Sequence, residues 1–139
     1  MTIKLDNDTL KLMGFFERLT NAKLKDCFED MNGMLVFVVD KGEIGQALGK
    51  NASTVIKLKE KLPSKRIKIV EYDSDLIKFI NNLIFPYKAQ NIALDGDTAI
   101  IESDSTEVKG LLIGKNGRNL RNYENIVNRY FKIKEIKVK

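Results

Sequence analysis

Histidine is absent from the 139 residues of this chain. That removes imidazole acid–base catalysis, Ser–His and Cys–His nucleophile pairs and most zinc sites. Cysteine occurs once, as Cys27. A single thiol cannot form an internal disulfide, and a reducing cytoplasm is the expected compartment. No apolar run approaches the ~20 residues needed to span a bilayer, so no membrane association is expected. Met1 to Asp8 is polar and mixed in charge, which does not describe a signal peptide. The carboxylates are scattered, with no acid, base and nucleophile grouped together. The expectation is therefore a non-enzyme without cofactor, metal or small-molecule substrate.

What is present describes a soluble globular chain, 43% hydrophobic and 31% charged. The length suits one ordinary domain or two small ones. The net charge is +5, a weak pointer by itself to an anionic partner.

The chain contains an internal repeat. Gly49-Lys50-Asn51 superposes on Gly114-Lys115-Asn116 at an offset of 65 residues. The same offset aligns Gly45 with Gly110, Leu48 with Ile113, Val55 with Leu120, and Leu12, Phe15 and Leu19 with Ile77, Ile80 and Ile84. Two copies are expected, over residues 1–72 and 73–139.

Each copy reads as α-β-β-α-α-β. In the first, Leu10, Leu12, Met13, Phe16 and Leu19 recur at helical spacing behind Asp6 or Asp8 as N-cap. Strands are expected over 23–30 and 34–39, joined at Asn32-Gly33. A short helix over 43–48 ends at Gly49, and another runs from Ser53 to Leu62 with Ser53 or Thr54 as cap. A last strand covers 66–70. In the second copy Asp73 or Ser74 should cap a helix over 75–85. Strands over 89–95 and 97–103 flank Gly96-Asp97. Ser105 should cap a helix to Ile113, and a longer helix should run from Gly117 to Phe131 before a strand over 133–138. The join at 71–74 has no Gly or Pro, so it is not a flexible linker. The copies are expected to pack as one body.

Charge follows the repeat. Residues 49–70 hold seven basic side chains and one acidic, and residues 109–139 nine and two. Residues 71–108 hold two basic and eight acidic. In both copies the basic block starts at or just before the glycine–lysine turn, which points to an anion-binding face.

The turn itself suits a phosphate. In Gly114-Lys115-Asn116-Gly117 the first glycine can take positive φ and end a helix. The last lacks a Cβ, so a phosphate can approach the backbone where the next helix starts with free N–H groups. Lys115 adds a mobile cation, and Arg118 and Arg121 extend it along the helix. The first copy offers Gly49, Lys50, Asn51 and Ala52, with Lys57 nearby. Ala52 departs from the glycine, and its Cβ disfavours positive φ. Gly42-Glu43-Ile44-Gly45 is a decoy, because Glu43 would repel phosphate. A P-loop is rejected on spacing and on the Asn after each Lys.

An α-β-β-α-α-β unit with Gly-Lys-x-Gly between paired helices resembles a type II K homology (KH) domain. In KH domains this turn clamps about four single-stranded nucleotides. Two such units in tight tandem resemble the KH pair of NusA-type transcription factors, in the short archaeal form without S1 or N-terminal polymerase-binding domains. The resemblance covers nearly the whole chain. It implies an α+β fold of two tandem type II KH domains, each with helices on a three-stranded sheet. It also implies a protein that binds nascent single-stranded RNA and acts with RNA polymerase in elongation or termination. It places bases in a groove over Ala47, Leu48 and Val55, and over Leu112, Ile113 and Leu120, although spacing makes most of these core positions. Phe15, Phe16, Phe28 and Phe37 read as core, and Tyr123 and Tyr130 as core or interface. Two alternatives stay open: a ribosome-associated or RNA-processing KH protein, and a polymerase adaptor whose acidic faces carry the function.

Overall fold

The structure, a computed structural model, describes residues 7–139. The chain divides into two compact units, one ending at Asp73 and the other running Ser74–Lys139.

The first unit consists of α1 (Asn7–Thr20), β1 (Leu24–Glu29), β2 (Met34–Val39), α2 (Ile44–Leu48), α3 (Ser53–Lys61) and β3 (Arg66–Glu71). The second has α4 (Leu76–Ile84), β4 (Asn91–Asp95), β5 (Thr98–Glu102), α5 (Thr106–Ile113), α6 (Arg118–Val127) and β6 (Glu135–Val138). Each unit therefore repeats the order α-β-β-α-α-β. A single 3-10 turn joins the paired helices in each, Lys50–Ala52 and Lys115–Gly117.

Both sheets are mixed, in the order β1-β2-β3 and β4-β5-β6. The hairpin strands pair antiparallel and the last strand returns parallel to the central one. A parallel return needs a crossover, and the helix pair supplies it. The continuous apolar run of β2 is buried from Leu35 to Val39, as a central strand requires. In the first unit Phe16 of α1 stacks on Phe37 of β2, ring centroids 4.6 Å apart. Cys27, Leu35, Val39, Ala47 and Leu58 complete that core.

Several local expectations are corrected. Asp6 lies outside the described residues, and Asp8 sits inside the first turn of α1 instead of capping it. The cap of α4 is Asp75, whose carboxylate accepts from Ile77 N (2.9 Å) and Lys78 N (3.4 Å). Asp73 is buried and faces Lys41 at 3.5 Å. Ser53 and Thr54 are helical residues, and the cap position of α3 falls on Ala52. Ser105 caps α5 as expected, accepting from Val108 N.

Helix α6 stops at Val127, four residues short of Phe131. Tyr130 and Phe131 leave the helix to pack on Phe79, at 5.5 and 5.7 Å between centroids. Asn128 then turns the chain by accepting from Ile133 N at 3.0 Å. The 65-residue repeat thus slips here. Leu35 pairs with Ile67, while its counterpart Ile100 pairs with Lys137.

Candidate nucleic-acid interface

The two glycine–lysine turns have one backbone path. Gly49 takes φ 70°, ψ 178° and Gly114 takes φ 73°, ψ 175°. Asn51 and Asn116 follow in the left-handed region, at φ 55° and 57°. Ala52 (φ 56°) and Gly117 (φ 74°) stay there too, and the next residue begins a helix. The conformation that Ala52 was expected to resist is the one it adopts.

Packing explains why each turn opens on glycine. A Cβ on Gly114 would lie 2.7 Å from Asn119 Cγ and 2.9 Å from the Asn119 backbone nitrogen. One on Gly49 would meet Ser53 Oγ at 2.6 Å. The helix start is folded back against the helix end at these points. Around Gly117, by contrast, the space for a Cβ is open, as a close ligand approach needs.

Asn119 was not singled out by the sequence reading. Its Nδ2 donates to the carbonyl of Leu111 at 2.8 Å. The first turn of α6 thereby holds the last turn of α5. An amide just inside a helix start behind a glycine was the available signal, since asparagine is weak in helix interiors unless its side chain finds backbone.

Helices α4 and α5 begin with side-chain caps, Asp75 and Ser105. Helices α3 and α6 begin with none, and neither has an acidic residue in its first turn. Their positive dipole ends favour an anion, although the first N–H of each, on Ser53 and on Arg118, already donates to the carbonyl of Lys50 and of Lys115. Lys50 and Lys115 stand exposed beside these ends. Neither they nor Lys57 make an ion pair among the described residues.

The basic blocks are not uniformly available. Lys65 pairs with Glu29 at 2.9 Å, and Arg66 donates to the carbonyl of Asn32. Lys68 is half-buried, and desolvation holds its pKa below the ordinary 10.5 against the attraction of Asp30. Arg121 is exposed but bonded to Glu124 at 3.2 Å. Glu124 also accepts from Ile136 N at 2.8 Å, tying that arginine to the sheet. The expected groove residues divide as well. Ala47 and Leu112 are fully buried core. Leu48, Val55, Ile113 and Leu120 are half-buried beside the turns. The decoy runs from a turn into the start of α2, which opens at Ile44 with Glu43 at its cap position, and the Glu43 carboxylate accepts from Lys23 N at 2.8 Å. Tyr123 is buried, and Tyr130 packs edge-on against Phe79.

Among the described residues no cluster of metal-ligating side chains occurs, and no helix is long and apolar enough to cross a membrane.

Fold and turns together define a class: duplicated α+β proteins with an exposed glycine–lysine turn joining two helices in each unit. No family model matches the chain. Curated relatives do. A protein of Thermoplasma acidophilum is 32% identical over 99% of this chain and 96% of its own length. One of Halobacterium salinarum is 31% identical over 99% of both. One of Methanocaldococcus jannaschii is 30% identical over 98% of this chain and 75% of its own. Each is described as a probable transcription termination protein NusA. The solved crystal structure of APE1850 superposes with a TM-score of 0.74 at 28% identity, covering 97% of this chain and all of that one. The chain belongs to the archaeal NusA family.

Proposed function

We propose that this NusA-type protein binds single-stranded RNA, with residues 1–72 and 73–139 acting as type II KH domains. The ligand is nascent transcript, and the protein acts alongside RNA polymerase in the cytoplasm during elongation or termination. One observation carries the reading: two turns with the same left-handed backbone, each opening onto a helix start that no side chain caps.

In this reading the positive dipole ends of α3 and α6 attract the phosphates. Lys50 and Lys115 neutralise the adjacent charge, and Lys57 and Arg118 extend the track. Gly117 lets the sugar–phosphate chain pass close. Asn51 and Asn116 hold the left-handed geometry, which asparagine tolerates better than most residues. The half-buried Leu48, Val55, Ile113 and Leu120 offer apolar contact to bases. The residues bind and orient, and no bond is made or broken. The short join lets the second clamp engage at high effective concentration once the first is filled.

The test is a titration of a uridine-rich oligonucleotide at several salt concentrations. Neutralising about four to six phosphates gives a log K against log salt slope of roughly −3 to −4. The joint variant Lys50→Glu and Lys115→Glu should flatten that slope. A slope near zero for the unaltered protein overturns the phosphate-clamp reading.

A further inference from the structure

A cavity of about 560 Å³ opens between α1 and the far end of α3. Its floor is apolar: Leu12, Phe15 and Leu62. Among the described residues that line it, Lys11, Arg18 and Lys61 stand on the rim against one carboxylate, Asp8. The Lys61 ammonium lies over the Phe15 ring, 5.1 Å from its centroid. The glycine–lysine turn is at the other end of α3, one helix length or about 14 Å away. The cavity therefore lies away from the glycine–lysine turn, with Lys61 one helical turn beyond Lys57.

The second unit shows that the repeat does not require this groove. At the 65-residue offset, Arg18 and Lys61 correspond to Leu83 and Ile126, and Phe15 and Leu62 to Ile80 and Val127. All four of those second-unit residues are buried and apolar. The first unit places exposed cations where its twin has core.

We infer that this groove is a docking site for an acidic, apolar peptide segment of a protein partner. The volume falls in the range that holds several side chains. The floor rewards burial of leucine or phenylalanine, which a ribose–phosphate chain does not carry. The rim cations pair with flanking carboxylates. A short amphipathic helix lying between α1 and α3 satisfies both, with apolar anchors three and four residues apart. The groove gives the protein a handle for a partner that leaves the RNA turns exposed.

The experiment pans random dodecapeptides on display against the intact chain, and in parallel against the variant Lys11→Glu, Arg18→Glu, Lys61→Glu. All three rim residues are exposed, so the fold should survive, and circular dichroism checks it. Enriched peptides should combine Asp or Glu with Leu, Ile or Phe. As labelled synthetic peptides they should bind the variant about tenfold more weakly or worse. Amide resonances of residues 8–18 and 58–64 should move on titration. The inference is overturned if no such pattern is enriched, if these peptides bind the variant equally well, or if the resonance changes fall elsewhere. It is also overturned if oligouridylate competes for the groove, which would assign it to RNA. Weak RNA binding at the turns would leave all of these outcomes unaffected.

Discussion

Ala52 and Gly117 occupy equivalent left-handed positions, φ 56° and φ 74°, each one residue before a helix. For alanine that conformation costs about 1–2 kcal/mol, and for glycine almost nothing. The first unit therefore holds a strained residue at the mouth of its turn. Strain of this kind persists where the surroundings over-determine it. Here Gly49 is pressed against Ser53 on one side, and α3 begins on the other.

Ala52→Gly should accordingly stabilise the first unit by about 1 kcal/mol, after allowing for the greater entropy of glycine in the unfolded chain. Amide hydrogen exchange in β1 and β2 reads that unit alone. Slower exchange there, with β4 and β5 unchanged, is the expected result. Gly117→Ala should do the reverse in the second unit by a similar amount. If neither pair of strands responds, the backbone at these positions is not strained.

The opening glycines should differ from each other. A methyl on Gly114 meets a backbone nitrogen at 2.9 Å as well as the Asn119 side chain. On Gly49 the nearest atoms are the hydroxyls of Ser53 and Thr54, and backbone is reached only at 3.8 Å. Side chains can rotate away, but the backbone of a helix cannot. Gly114→Ala should therefore cost more than about 2 kcal/mol, and Gly49→Ala roughly half that. Urea titration of both variants decides the order.

Much of the fold was legible because the signals were local. The repeat, the apolar run of β2, the Ser105 cap and the glycine that ends each short helix lie within a few residues of what they determine. The losses came from longer-range causes. Asn128 caps the end of α6 locally, but the destination of Tyr130 and Phe131 is set by Phe79, some 50 residues earlier, against which both rings pack. The basic blocks read as one face, yet Lys65, Arg66 and Lys68 are taken up by Glu29, the Asn32 carbonyl and burial. Both turns were visible as motifs. Their shared backbone was not, because alanine at position 52 argues locally against it and tertiary context overrides that preference.

Lys68 provides a pH test. Burial lowers its pKa in the folded protein below 10.5, so the folded state binds that proton less tightly than the unfolded state. The penalty for keeping the ammonium buried is fully present below the folded-state pKa. It is relieved as pH rises from that value towards 10.5, so stability contributed by this group increases with pH in that window. Lys68→Met removes the titrating group. The difference in stability between the unaltered protein and the variant should therefore narrow or change in the protein's favour on going alkaline. A difference independent of pH up to 10.5 would show that Lys68 is solvated.

The tie between Arg121 and Glu124 separates two roles that charge counting merges. Arg121 is exposed, but its guanidinium already has a carboxylate at 3.2 Å. A phosphate must compete with that carboxylate for it, whereas Lys115 has no such rival among the described residues. Arg121→Ala should therefore weaken RNA binding less than Lys115→Ala does. Glu124 cannot simply be deleted to release the arginine, because its other oxygen holds Ile136 N at 2.8 Å. Loss of that acceptor would cost about 1–3 kcal/mol. Glu124→Gln keeps an acceptor for Ile136 and removes the charge. It should leave thermal stability nearly unchanged and raise RNA affinity about twofold to threefold at low salt, with a steeper salt dependence. If the affinity instead falls while the fold holds, Glu124 serves RNA binding by orienting Arg121, and the arginine is part of the clamp through its partner.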